Sequence, residues 1–310
     1  NIKHRLNVNN ISPIDGRYKE NVSELEGYFS EQALMRYRIL VEVEYLLSLV
    51  ELKSFQKKRS LSKKNLSSLR NLYIEFSDKD FKQIKKIESK TNHDVNAVVV
   101  FISEKLEKIS RKDLIPLVHF GLTSEDINNT AYSLMTKGAT KNIMVPAIKN
   151  VLKELKKLAR RTKSLPMLSL THGQPATTTT LGKELAVFIS RIERELVLIS
   201  EINLLAKFSG ATGSYAAHKA AFPAANWSVF AKKFIKRLGL GQSPITSQVE
   251  PGDSIAELLH SYVRINNIFS DFSLDMWLYI SRNIFVQKNV SGEVGSSTMP
   301  HKINPIFFEN

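Results

Sequence analysis

Three long stripes of apolar side chains at helical spacing restrict what this chain can become. One runs from Pro146 to Pro166 through Ile148, Val151, Leu152, Leu155, Leu158 and Ala159. A second, from about Leu181 to Ala206, carries Leu185, Phe188, Ile189, Ile192, Leu196, Ile199 and Leu204, and a third fills Ile255 to Tyr279. Apolar residues recurring at i, i+3, i+4 and i+7 share one face of a helix, and helices of this length hide such faces by lying side by side. No segment alternates apolar and polar residues convincingly as a half-buried strand would, and there is no internal repeat or low-complexity tract. The expected fold is all-α: a long-helix bundle with a smaller N-terminal helical domain. In that N-terminal part Leu34, Tyr37, Val41, Tyr45, Leu46 and Leu49 predict an amphipathic helix from Ser30 to Leu52. Pro116 closes the charged stretch Arg111 to Leu117, the expected boundary between a domain over residues 1–114 and a bundle over residues 115–310.

A chain of 310 residues, 43% apolar and 24% charged, can bury a substantial core. No apolar run reaches the roughly 18 residues of a membrane span. The stretch Asn1-Ile-Lys-His-Arg-Leu6 leads into no signal-like segment, so a cytoplasmic location is the default expectation. The absence of cysteine excludes disulfides, thiolate ligands and thiol catalysis. A net charge of +14 would suit a nucleic-acid binder, the alternative from another functional class. The basic clusters Lys57-Lys58-Arg59, Lys85-Lys86, Arg160-Arg161 and Lys232-Lys233 are, however, scattered over several predicted helices without interleaved aromatics. Solvated helix faces explain them, and neither nucleic acid nor membrane is an expected partner. A phosphate-bearing substrate would gain from the positive field. His4, His119, His218, His260 and His301 show no metal-ligand spacing and no Gly-rich dinucleotide loop is present, so neither metal nor cofactor is expected.

Several short segments carry more chemistry than a turn or cap requires. Ile11-Ser-Pro-Ile-Asp-Gly-Arg-Tyr18 reads as a turn that places Arg17 beside Tyr18. Thr91-Asn92-His93-Asp94 opens a helical run, with Thr, Asn and Asp suited to capping and His93 in excess of that need. Thr123-Ser124-Glu-Asp126 has the form of a capping box, and hydroxyls at a helix N-terminus also make a carboxylate site. In Thr171-His172-Gly-Gln174-Pro-Ala176, Gly173 and Pro175 hold an imidazole in a non-helical turn ahead of a helix start at Thr177 to Thr180; imidazole can donate a proton near neutral pH. Between Gly292 and Pro305, glycines and prolines bracket Ser296, Ser297, Lys302 and Asn304 in a loop that reads as a lid. Lys302 supplies charge and Asn304 amide donors, both suited to an anionic group.

The run Gly295-Ser-Ser-Thr-Met-Pro-His-Lys-Ile-Asn-Pro305 closely resembles the signature of the fumarase/aspartase superfamily, whose members eliminate fumarate from substituted succinates. Thr91 to Asp94, Thr123-Ser-Glu-Asp-Ile-Asn-Asn129 and Thr171 to Ala176 resemble the branch that acts on succinylated purine nucleotides, and the likeness runs from about Ser12 to Asn310. It implies β-elimination without a cofactor, with Ser296 as base and His172 as acid, and fumarate and AMP as products. It implies that Arg17 and Tyr18 contact the nucleotide, that Asn92, His93 and Asp94 form a further substrate site, and that Thr123, Ser124, Gln174, Gln248, Ser297, Lys302 and Asn304 bind substrate. A hydroxyl is a poor base, so Ser296 would need activation by surrounding amides and charge. A homotetramer with sites shared between subunits is also implied. The alternatives within the superfamily are argininosuccinate lyase or fumarase, and a catalytically dead structural relative is a further alternative of another class. Family members continue past the signature with more helices, a C-terminal domain and a phosphate-binding arginine, so this chain is expected to be part of a longer protein.

Overall fold

The computed structural model describes residues 10–52, 61–288, 299 and 303–309, and they are mostly helical. They divide into two compact units: residues 1–146 with 203–255, and residues 147–202 with 256–310. The segment 111–117, where the sequence suggests a boundary, lies inside the first unit, as a 3-10 turn over Lys112–Leu117.

The first unit is built on helix α1, Glu31–Val50, which starts where the Ser30 hydroxyl accepts the Ala33 N–H at 3.1 Å. Around it pack α2 (Lys63–Ile74), α3 (Asp78–Thr91), α4 (Asp94–Lys108) and α5 (Ser124–Ala139). The expectation of an amphipathic α1 needs correction. Arg38, Glu42, Glu44 and Ser48 are buried with the apolar stripe, so α1 has covered surface on nearly every side. Such polar residues tolerate burial only when partnered. Arg38 reaches Asp94 at 2.6 Å and Asn128 at 2.9 Å, and Glu44 receives Arg70 at 2.7 Å and the Tyr73 hydroxyl at 2.7 Å.

Helix α5 continues through a π-turn, Thr140–Met144, into α6, Val145–Arg161. There the Val145 N–H bonds back to the Thr140 carbonyl, a wider turn that accommodates Pro146, which has no N–H to offer. The rest of the first unit adds β3 (Leu205–Ala206), α8 (Ala216–Ala221), α9 (Trp227–Arg237) and β4 (Gly241–Gln242), with β3 and β4 parallel. Phe208 joins this part to α1, with ring centroids 4.9 Å from Tyr45 and 4.7 Å from Phe234.

In the second unit, α6 is followed by a hairpin of β1 (Pro166–Thr171) and β2 (Gln174–Thr180), then α7 (Leu181–Glu201) and α10 (Asp253–Ser281). The three expected long helices are present. Helix α7 begins just past the threonine run, with Thr180 as its cap. The hairpin was not foreshadowed because most of both its faces is exposed, which removes the alternation that betrays a strand. Helices α6 and α7 meet at Gly182, where an added Cβ would lie 2.5 Å from the Ala159 carbonyl. Phe188 and Phe272 stack edge to face at 5.3 Å between α7 and α10, beside an Arg191–Asp271 ion pair at 2.7 Å. No described helix is long and apolar enough to cross a membrane.

Candidate active site

Thr123 caps α5 and Ser124 opens it, both half-buried. The Asp126 carboxylate accepts the Thr123 N–H at 2.9 Å, as the capping pattern predicts. Gln248, from a distant loop, donates its side-chain amide to the Thr123 hydroxyl at 3.2 Å. The structure thus brings together two expected substrate residues that the sequence separates widely. The amides and hydroxyls of this helix end are suited to an anionic group.

The segment ahead of Thr123 is held from below by α1. His119 adopts a left-handed backbone, φ 58°, and its Nδ1 lies 2.5 Å from Oε1 of the fully buried Glu42. Burial opposes a charge on His119, yet the Glu42 carboxylate outweighs it and raises the imidazole pKa above its ordinary value. Tyr45, three residues on, donates to the Phe120 carbonyl at 2.7 Å and sits 2.9 Å from Nε2 of His218. With the phenol proton used on Phe120, Nε2 is assigned as the protonated nitrogen of His218, and its buried Nδ1 has no partner. Burial pushes His218 down to about 4. Its ring fills the space beside Gly121, where a Cβ would meet it at 2.8 Å.

The expected site at residues 92–94 is a helix junction. Asn92 ends α3 in the left-handed conformation, φ 50°. His93, in excess of the capping residues by its type, is itself the cap of α4: its Nδ1 accepts the Asn96 N–H at 3.2 Å. Burial works against the Asp94 charge, but the Arg38 guanidinium and the Val95 N–H hold its carboxyl below the usual range. Arg17 and Tyr18 follow the predicted turn, both exposed, with the guanidinium 5.5 Å from the ring centroid.

In the second unit His172 occupies the hairpin turn. His172 and Gly173 have φ of 53° and 71°, and Thr171 pairs with Gln174 across them, as a two-residue type I′ turn requires. The Gly173 carbonyl accepts Arg282 at 2.7 Å, while His172 and Gln174 are exposed. Asn304 is half-buried. Ser296, Ser297 and Lys302 lie outside the described residues. Among the described residues no group of three or more His, Asp or Glu is arranged to hold a metal ion.

Local spacing singles out none of Arg38, Glu42, Lys207 and Arg282, and it gives Asp126 no role beyond the capping box. The available signal was a charge inside an apolar stripe: Arg38 and Glu42 one turn apart on α1, and Lys207 within Leu204 to Phe208.

A family model described as Lyase matches residues 16–310. The chain is 46% identical to the adenylosuccinate lyase of Dictyostelium discoideum over 311 residues, 98% of this chain and 67% of that one. The chain belongs to the adenylosuccinate lyase family. It is 43% identical to the adenylosuccinate lyase of Escherichia coli (strain K12) over 301 residues, 97% of this chain and 66% of that protein. The chain thus spans about two thirds of the length of these adenylosuccinate lyases. Among solved structures, a fumarate lyase from Mesorhizobium sp. BNC1 has the same fold, with TM-score 0.69 at 21% identity over 84% of this chain and 57% of that one. The 3-carboxy-cis,cis-muconate lactonizing enzyme of Pseudomonas putida is similar in fold, with TM-score 0.69 at 19% identity over 93% of this chain and 61% of that one. Membership in the adenylosuccinate lyase family does not favour the basic nucleic-acid binder.

Proposed function

We propose that the protein carrying this chain eliminates fumarate from adenylosuccinate, giving AMP, and from the succinylaminoimidazole-carboxamide ribotide of purine biosynthesis. The observation that carries this reading is the 46% identity to a curated adenylosuccinate lyase over 98% of the chain. In the proposed reaction Ser296 removes the proton next to a substrate carboxylate and His172 protonates the departing nitrogen. Thr123, Ser124, Gln248, Ser297, Lys302 and Asn304 hold the succinyl carboxylates, whose charge grows as the carbanion forms. Gln174 binds beside His172, Arg17 and Tyr18 take the nucleotide, and Asn92, His93 and Asp94 complete its site. The acid fits a turn that presents the His172 imidazole to solvent with the backbone pinned by Arg282.

The protein is proposed to work in the cytoplasm as a homotetramer with sites shared between subunits. Support for assembly comes from large apolar side chains left exposed on the long helices: Val151 and Leu158 on α6, Val197 on α7, Leu259, Val263 and Leu274 on α10. Helix faces of this kind ordinarily find cover.

The test is fumarate release by the full-length protein from each succinylated purine nucleotide, with argininosuccinate and malate in parallel. Release from the nucleotides alone is expected. Turnover of argininosuccinate or malate instead would reassign the chain within the superfamily.

A further inference from the structure

Asp126 and Lys207 form an ion pair at 2.8 Å with no exposed surface on either side chain. Such a pair is poor ground for stability, because desolvating two charges largely offsets their attraction. What its hydrogen bonds hold is more informative. Asp126 accepts the N–H of Thr123 at 2.9 Å, of Ser209 at 2.9 Å and of Gly210 at 3.1 Å. Lys207 donates to the Gly210 carbonyl at 2.6 Å. Asn129, one turn along α5, grips the Lys207 backbone twice, donating to its carbonyl at 3.0 Å and accepting its N–H at 2.8 Å.

These bonds fasten residues 207–210 to the first turn of α5 and continue around a circuit. Ser209 and Thr246 place their hydroxyl oxygens 3.4 Å apart. Gly213, φ 73°, lies so near the Thr246 carbonyl that a Cβ would collide with it. Gln248, two residues on, returns to Thr123 at 3.2 Å. Charge matters as much as position here. The first turn of α5 contains Glu125 as well as Asp126, two acidic groups where the helix end would otherwise attract an anion. Glu125 has its carboxyl pushed up, by burial first and by the nearby Asp126 and Glu250 charges, against the lowering influence of Lys207.

We propose that Asp126 and Lys207 are positioning residues of the substrate-carboxylate site, Asp126 fixing the Thr123 backbone and Lys207 cancelling the charge that would repel a substrate carboxylate. This rests on the proposed role of Thr123. It extends that role to a buried pair that touches no substrate.

The test compares Asp126→Asn/Lys207→Met with the parent in the full-length protein, since this double variant exchanges the ion pair for a neutral pair of similar volume. Its melting temperature is expected to fall, because the desolvation cost that a neutral pair escapes is offset by N–H groups which the carboxylate accepted and an asparagine amide cannot. KM for adenylosuccinate is expected to rise about tenfold or more, with kcat changed less than about threefold, because an amide has one acceptor oxygen for the N–H groups that the carboxylate gathers. The pair's zero net charge is kept, so the charge-cancelling part is read in Lys207→Met alone, whose KM should exceed that of the double variant, and a KM no higher removes it. A folded double variant whose KM stays within about twofold of the parent would overturn the proposal, leaving the pair a fold-supporting role only. Should the double variant fail to fold, amide exchange in the unsubstituted protein decides. Adding AMP with fumarate is expected to slow exchange across residues 207–210, and unchanged exchange there overturns the proposal. Thr123→Ala separates this inference from the reading beneath it. A raised KM in Thr123→Ala with a normal KM in the double variant sinks the positioning role alone, whereas a normal KM in Thr123→Ala removes Thr123 from the site and the proposal with it.

Discussion

The Nδ1 of His119 lies 2.5 Å from a carboxylate oxygen of Glu42, and Glu42 has no exposed surface. The pair joins the middle of α1 to the segment that leads into Thr123. Because the folded His119 pKa is raised above the ordinary histidine value of about 6.5, its contribution to stability is complete below that pH and is lost as pH rises through the folded value. Glu42→Gln is therefore expected to lower the melting temperature most in acid, with the gap to the parent closing toward alkaline pH. Imidazole NMR titration is the direct check: the His119 midpoint should fall in Glu42→Gln, and an unmoved midpoint would refute the coupling.

His218 has the opposite sign. Its pKa falls from 6.5 to about 4 in the folded state, so protonation favours unfolding and stability is lost as pH drops through that window. A shift of about 2.5 units at 1.36 kcal/mol each is about 3 kcal/mol. Denaturant unfolding at pH 7.5 and pH 4 should show about that much extra loss in the parent relative to His218→Gln. Parallel pH dependence of the two proteins would count against it.

Gly182 tests the approach of α6 and α7. Helix propensity alone would make alanine better there by up to about 1 kcal/mol. The new methyl, however, would stand 2.5 Å from the Ala159 carbonyl and 2.6 Å from Lys163 Cα, backbone atoms that cannot rotate away. Overpacking is expected to win, and Gly182→Ala should be destabilised by about 1–3 kcal/mol in equilibrium unfolding. A more stable variant would show that the two helices separate easily.

Shared sites have a numerical signature. Ser296→Ala is expected to abolish turnover with substrate binding largely kept, and His172→Ala to be inactive as well. If the two inactive proteins are dissociated, mixed equally and reassembled at random, about one quarter of sites should receive both native groups, and fumarate release should return. Confirmed hybrid tetramers that remain as inactive as the parents would show that the two residues do not meet across a subunit boundary.

The sequence made α1, α6, α7 and α10 legible because a long apolar stripe has a period that only a helix satisfies. The same counting hid what α1 does. Arg38, Glu42 and Tyr45 recur at helical spacing within its buried surface, and a rule that scores apolar positions passes over a polar row whose partners lie in other segments. The hairpin escaped for the converse reason, having little buried face to leave a pattern. His93 was set apart as surplus to capping, yet its ring nitrogen accepts the N–H that serine or aspartate would ordinarily take. The types of the site residues were visible in short motifs. That Gln248 reaches Thr123, and that Asp126 gathers amides from Thr123, Ser209 and Gly210, depends on chain crossings that no local spacing encodes.

The turn at His172 and Gly173 changes how a saturation mutagenesis scan at position 172 should be read. Both residues hold a left-handed backbone, which most side chains enter at a cost of about 1–2 kcal/mol and β-branched ones enter worst. Valine or isoleucine at 172 would disturb the hairpin as well as remove the imidazole, so their loss of activity mixes two causes. Asparagine and glycine accept this backbone readily and carry no imidazole. The ranking of variants therefore sorts geometry from proton transfer: activity that fails equally with asparagine, glycine and valine is chemistry, and activity that survives in asparagine but not valine is the shape of a two-residue bend.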